Sequence, residues 1–393
     1  MRLISITAAF PGGSSEAFFI EEFKEIRTQG VELLIVPLYR RRALVHRDAA
    51  ALVEVTLQKP VLSPTIAAIA LWQIVRSPRR AARAFSPLLK SRNLTILAKN
   101  AVAYPKGLWL AWQARRWGAD HLHSHWASVS ATLAMVASEY SGIPWSFTAH
   151  RWDILENNLL GEKLGRARFG RFIADSWVQE AAKYVRPEAL AKAVVHRMGV
   201  RLPAAPPRAR DLPRPLPPLI CSGALIERKG HRYLFEALAS LRQKGIEIPA
   251  WIAGSGELES ALKRMASELG IAEQVRFLGQ LSHSDLLDLY GGGKVSAVVL
   301  PSLSEGIPVA LIEAMGFAVP AISTAVGGTP ELLGDGAGLL VPAQDSRALA
   351  GAIERLISEP GLARKLGEAG ARRVRESYAV EPIVAGVIRQ MRG

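Results

Sequence analysis

Short apolar runs and amphipathic stretches alternate along the whole chain, separated by glycine, proline or small polar residues. In the first forty residues RLISITA is an apolar run and Gly12-Gly13 a turn. Ser15 to Gln29 is then an amphipathic stretch stopped by Gly30, and VELLIVPL a second apolar run. That succession predicts a βαβ unit. Further on, ADHLHSH reads as a strand, Ala127 to Tyr140 as a helix closed by Gly142, and PWSFTAH as the next strand. Past residue 218 the same rhythm returns, with PLICSGA, PAWIAGS, QVRFLG, VSAVVLPS and VPAISTA as strands. Helical stretches such as Gly230 to Lys244 and Leu258 to Leu269 lie between them. Both halves are therefore predicted to be doubly wound α/β domains with parallel sheets. No period of 20 to 50 residues repeats, which excludes a solenoid.

The run PAAPPRARDLPRPLPP, residues 203–218, can be neither helix nor central strand, because proline lacks the amide hydrogen and fixes its backbone angle. It is the predicted linker between an N-terminal Rossmann-like domain, 1–202, and a C-terminal domain, 219–378, with a short helix over 380–391 closing the chain. A length of 393 residues fits this division, since one ordinary core does not grow so large. Two lobes facing each other across a cleft are expected, and ligands in such sheets lie beyond the carboxyl ends of the strands.

Composition sharpens this picture in a few places. With 49% hydrophobic and 21% charged residues the chain can fill two cores. Cys221 is the only cysteine, so no disulfide forms within the chain. The stretch from Met1 to Gly13 reads as a first buried strand rather than a signal peptide. The longest apolar stretch, Val61 to Val75, contains Pro64 and Gln73 and is too short to span a bilayer. The net charge of +14 belongs to the N-terminal half: residues 1–218 carry 31 basic against 16 acidic side chains, and 219–393 carry 18 against 19. Between Glu54 and Asp120 no acidic residue occurs, while eleven basic ones do, together with Trp72, Trp109, Trp112 and Trp117.

The densest candidate chemistry is PSLSEGIPVALIEAMG, residues 301–316. A buried strand ends there, a loop presents Glu305, Gly306 and Ile307, and Pro308 can open a helix. A helix start beside small residues offers free amide hydrogens and a positive dipole end to a diphosphate. Glu313, about one and a half turns into that helix, can accept hydrogen bonds from both ribose hydroxyls, as acidic residues do in other nucleotide folds. Two glutamates at this spacing alone also fit a solvated helix face.

The whole segment resembles the donor-binding signature of the retaining glycosyltransferases of family 4, which have the two-lobed GT-B fold. GALIERKGHRYLFEAL near 223, WIAGSGELES near 251, VRFLGQLS near 275 and GGTPELLGDGAGLLVP near 327 extend the resemblance over residues 219–378. It implies that Lys229 contacts the donor diphosphate, Glu305 the transferred sugar and Glu313 the ribose. Gly223, Gly254 and Gly256 would let backbone approach the nucleotide, and Phe277 and Leu278 would lie along the base. Where the family most often has arginine after the first glycine, this chain has Ala224, and Arg228 is the alternative phosphate anchor. In this fold a final helix crosses back to the first domain, the role implied for 379–393.

In the N-terminal half the resemblance rests on the loop with Gly12 and Gly13, on HLHSHWA and on SFTAHRWDI. His150 matches the family's active-site histidine, and Asp153 either orients a side chain or starts the next helix. His121, His123 and His125 alternate, so all three share one strand face and could hold zinc. No acidic fourth ligand stands nearby, so no metal is expected, and His125 is the one expected to reach the cleft. No Asp-x-Asp occurs, so charge on the leaving group falls to Lys229, the helix start and loop amides.

For the basic stretch the functional readings are a membrane surface or nucleic acid, and the plain one is solvated helices. Arginines meet anionic headgroups and indoles settle at the interface, whereas no nucleic-acid signature accompanies the charge. Arg76, Arg79, Arg80, Arg83, Trp109 and Trp112 are therefore assigned, with His125, to the acceptor or membrane side. The resemblance implies an enzyme that moves a sugar from a nucleotide-sugar donor to a hydroxyl of a lipid-linked or growing saccharide. Configuration would be retained without metal or cofactor, at the cytoplasmic face of a membrane. A sugar-nucleotide epimerase, or a weakly catalytic scaffold subunit of a membrane polysaccharide assembly, are the alternatives.

Overall fold

The computed structural model describes residues 1–12, 16, 18–40, 49–204, 209 and 211–393. The chain divides into two compact units, Met1–Gly199 with Val380–Gly393, and Val200–Ala379. Each holds one six-stranded sheet in which every pairing is parallel.

In the first unit the strands are β1 (Arg2–Thr7), β2 (Glu32–Pro37), β3 (His121–Ser124), β4 (Trp145–Ala149), β5 (Gly170–Phe172) and β6 (Ala193–Val195), in the order 2-1-3-4-5-6. Helices cover both faces of a parallel sheet, so β3 and β4 are buried at every position, the histidines of β3 included. The order reverses between β1 and β3, whose register pairs Ser5 with His123. Helix Phe19–Thr28 packs against the final helix, Val380–Arg392, whose Val380, Val384, Val387, Ile388 and Met391 are buried. Arg168 donates to the carbonyl of Met391 at 2.6 Å, so the last fourteen residues belong to this unit.

The acid-free stretch forms three helices inserted between β2 and β3: Pro64–Arg76, Pro78–Phe85 and Leu94–Trp117. The last starts at Asn93, whose side chain accepts from the Ile96 amide at 2.8 Å, and stops at Gly118 with φ 72°. No helix among the described residues is long and apolar enough to cross a membrane.

In the second unit the strands are β7 (Leu219–Ser222), β8 (Ala250–Ala253), β9 (Val275–Gly279), β10 (Ala297–Leu300), β11 (Ala321–Thr324) and β12 (Leu339–Val341), in the order 12-11-10-7-8-9. Here the order reverses between β7 and β10. The division between units falls at Gly199 and Ala379, so the proline-rich run counts with the second unit. Arg214 ties it there by donating to the carbonyl of Ile357 at 3.2 Å.

Candidate active site

The reversal between β7 and β10 leaves two adjacent strand ends whose loops part in opposite directions, which is where open α/β sheets bind ligands. The loop after β7 carries Gly223 to Gly230, and the loop after β10 carries Pro301 to Pro308. They are stitched together by the Leu303 amide donating to the Arg228 carbonyl at 2.8 Å. Gly230, at φ 65°, lies so close that a Cβ there would stand 2.1 Å from the Pro301 carbonyl oxygen. This backbone contact brings the two predicted groups together. Lys229 Nζ donates to Glu305 Oε1 at 2.6 Å, and the Ser302 hydroxyl donates to the same oxygen at 2.6 Å. Arg228 turns the same way, donating to the Ser304 carbonyl at 3.0 Å and standing 3.7 Å from Glu305 Oε2. Glu305 is buried and Ala224 is exposed.

Gly306 is half-buried and its carbonyl accepts from the Gly328 amide at 2.7 Å, latching the loop after β11 onto this one. Ile307 and Pro308 are buried, and Pro308 takes the cap position of helix Val309–Gly316. Glu313 is half-buried on that helix and its Oε1 pairs with His283 Nε2 at 2.8 Å. Gly254 follows β8 with its α-carbon against β7's end: a Cβ there would fall 1.9 Å from the Gly223 carbonyl oxygen. Gly223 is half-buried with the Lys229 stem alongside, and Gly256 is exposed. Phe277 and Leu278 are half-buried on β9, the Phe277 ring edge-on to Phe235 at 6.2 Å.

In the first unit the reversal between β1 and β3 builds a second cluster. Gly13 lies outside the described residues. Just beyond it the buried Glu16 carboxylate accepts from the amides of Ala8 and Ala9 at 2.8 and 2.7 Å and from the Trp126 indole at 2.7 Å. His150 follows β4, with its ring 4.7 Å from that of Trp126, and Asp153 accepts from its backbone amide at 3.1 Å. Asp153 therefore starts helix Arg151–Glu156; burial raises its carboxyl to about 7. Burial, reinforced by Arg171, pushes His150 down to about 3, so the imidazole is neutral at neutral pH. Its Nε2 finds no partner among the described residues.

Two residues assigned to the acceptor or membrane side are elsewhere. His125 is fully buried: β3 is a central strand, and Phe19 and Phe23 cover that face, 4.5 and 4.8 Å from the His125 ring. Its Nε2 meets the Ser5 hydroxyl at 3.1 Å, and Glu22 below it pairs with Arg171 at 2.8 Å. His123 bridges Ser146 and Thr148 at 2.8 and 2.9 Å, and His121 meets Ser146 at 2.8 Å. The alternating histidines are thus a hydroxyl-bonded interior network. Among the described residues no group of three or more acidic, histidine or cysteine side chains is arranged to hold a metal. Trp109 is 2% exposed, buried within the first unit on helix Leu94–Trp117. Trp112 is half-buried, and Arg76, Arg79, Arg80 and Arg83 are exposed.

Sequence reasoning missed Ser302, Glu16, His283 and Gly328. Ser302 and Gly328 lie inside the motifs near 301 and 327; the Glu16–Trp126 and His283–Glu313 contacts span 110 and 30 residues, which no local pattern shows.

Residues 209–373 match the family described as "Glycosyl transferases group 1". A GDP-mannose-dependent phosphatidylinositol monomannoside mannosyltransferase of Corynebacterium glutamicum is 28% identical over 170 residues, 42% of this chain and 44% of that protein. The chain spans 44–46% of the length of that relative and of another it matches. The lipopolysaccharide outer core galactosyltransferase WaaB is 19% identical, with TM-score 0.69 over 100% of this chain and 99% of that one. HepE of Anabaena, solved with UDP, is 14% identical with TM-score 0.73 over 100% and 99%. The family match thus lies within the second unit, and the two parallel-sheet α/β units are those of the GT-B fold shared with WaaB and HepE.

Proposed function

We propose that this protein transfers a sugar from a nucleotide-sugar donor to a hydroxyl of a lipid-linked or growing saccharide, retaining configuration and using no metal. The observation that carries the reading is the cluster at the β7/β10 reversal, where Lys229, Ser302 and Arg228 converge on Glu305 and Glu313 follows on the next helix. HepE structures hold UDP and UDP-glucose, which supports a nucleoside diphosphate here.

In this reading the donor diphosphate draws Lys229 away from Glu305 and takes its charge, helped by Arg228 and the start of helix Val309–Gly316. Glu305, held by Ser302, is then free to accept from sugar hydroxyls, and Glu313 accepts from the ribose. The C–O bond to the diphosphate breaks as the acceptor oxygen bonds to the anomeric carbon on the same face, and the acceptor proton passes to the leaving phosphate oxygen. The neutral His150 offers Nε2 to a sugar or acceptor hydroxyl. The exposed arginines of helices Pro64–Arg76 and Pro78–Phe85 support an anionic membrane surface as the place where this happens.

A thermal-shift panel of UDP, GDP, ADP and their sugars tests the donor: a ligand at 100 times its Kd stabilises by about 2.7 kcal/mol. One base should stand out, and the matching sugar should be consumed only when an acceptor is added. No shift with any nucleotide would sink the reading. Failure to sediment with acidic liposomes at low salt would sink its membrane part alone.

A further inference from the structure

A cavity of about 550 Å³ opens in the first unit where helix Pro64–Arg76 meets helix Pro78–Phe85, beside the carboxyl ends of helices Leu94–Trp117 and Val129–Ser141. Arg76, Arg80, Arg115 and Arg116 line it with Trp72 and Trp112, and no carboxylate does. The last two helices lead into β3 and β4, so the cavity lies at the amino ends of those strands. His150 follows the carboxyl end of β4, at the opposite end of the sheet.

One of the four guanidinium groups is already used. Arg115 donates to the carbonyls of Tyr140 and Ser141 at 3.2 and 2.9 Å, offsetting the negative end of helix Val129–Ser141. Arg76, Arg80 and Arg116 are not used in this way, and among the described residues none of them pairs with a carboxylate. The Arg76 guanidinium stands 5.1 Å from the Trp72 ring and that of Arg116 5.5 Å from the Trp112 ring. Stacking orients both while leaving their N–H donors free. Three like charges around one cavity repel unless something anionic joins them.

We propose that this cavity is a second anion site, taking a phosphate monoester or diphosphate on Arg76, Arg80 and Arg116, with the indoles against the ligand's less polar part. Guanidinium forks match pairs of phosphate oxygens, which a single ammonium does not. The phosphate belongs either to a lipid headgroup or to a soluble phosphorylated compound. Exposed Leu71 and Val75 on the adjoining helix suit the former. The site uses neither the donor cluster nor His150, so it stands or falls apart from sugar transfer.

The test titrates inorganic pyrophosphate into the full chain by calorimetry, in a Lys229→Ala background that weakens the donor site. Two pairs of substitutions are compared there: Arg76→Gln with Arg80→Gln, and Arg79→Gln with Arg83→Gln. Both remove two charges, but Arg79 and Arg83 do not line the cavity. The first pair should weaken binding about tenfold or more and the second less than about twofold. Arg116→Gln, on another helix, should repeat the first result. Equal weakening by both pairs would mean diffuse attraction and overturn the proposal, as would no binding, or binding that neither pair alters. Sedimentation with phosphatidylcholine vesicles, with and without phosphatidic acid, then names the source. Loss of acidic-vesicle binding in the first pair alone assigns a headgroup. Vesicle binding indifferent to that pair, beside a pyrophosphate effect, assigns a soluble phosphate.

Discussion

Lys229 and Glu305 hold each other at 2.6 Å, so the cation meant for a phosphate starts on a carboxylate meant for a sugar. Exchanging partners keeps every charge matched as the donor enters, which is cheaper than leaving either group buried and alone. Replacing Lys229 by Ala should lower kcat by ~100-fold or more while shifting melting little, since Ser302 and Arg228 still hold Glu305; near-normal kcat would refute its role. The buried histidines make a second prediction. Burial holds His121 and His150 at about 3, His125 at about 4 and His123 well below its ordinary 6.5. Unfolded, each takes a proton as pH falls through about 6.5. Folded, they stay neutral until about pH 4 or lower. Their contribution is therefore complete above pH 6.5 and is lost as pH falls toward 4, at about 2 kcal/mol per imidazole by pH 5. Asp153, raised by burial to about 7, runs the other way for one proton and only reduces the loss. Urea melts at pH 7 and pH 5 should show a clearly lower midpoint at pH 5.

Elements are pinned by buried cations as well as by apolar faces. Lys106, inside helix Leu94–Trp117, donates to the carbonyls of Pro37, Leu38 and Lys59 at 2.6 to 2.7 Å, closing the end of β2 onto the inserted helices. Lys163 does the same for Ala127 and Ser128 after β3, at 2.9 and 2.7 Å. Burial lowers both amines to about 7. Lys106→Met fits the hole but abandons three carbonyls, two of them buried, and should cost about 2 to 4 kcal/mol in a urea melt. A loss within error would show that water replaces the ammonium. Nothing in the sequence separates these lysines from their exposed neighbours, since the carbonyls they serve are up to 69 residues distant.

At the scale of the molecule the chain crosses between units twice, at Gly199 and at Ala379. Helix Val380–Arg392 lays its apolar face on helix Phe19–Thr28, and Gln29 donates to the Glu381 carbonyl at 3.0 Å. Its six buried apolar side chains, Ile383 among them, at roughly 1.5 to 3 kcal/mol each match the whole stability of an ordinary domain. Ending the chain at Ala379 should therefore leave the first unit unfolded or aggregating while the second still melts cooperatively. Two intact transitions by calorimetry would contradict this.

Much of this was written in the order of residues. Apolar runs between glycine stops predict strands because a parallel sheet buries both faces, and all the predicted strands recur within a residue or two of their expected places. The motif around Glu305 and Glu313 was legible for a similar reason, as strand end, loop and helix start are local facts. What neighbours in space do was not legible. The histidine alternation correctly put three imidazoles on one face, yet which face Phe19 and Phe23 would cover is decided by packing, and it buried His125. Trp109 and Trp112 lie three residues apart on one side of their helix, and only the surrounding packing buries the first and leaves the second half-buried. Proline content picks out the run 203–218 but not the division between the units, which falls at Gly199. The meeting of Lys229 with Glu305 belongs to the tertiary structure alone: it follows from the strand order reversing between β7 and β10, a property of the sheet that no stretch of sequence carries by itself.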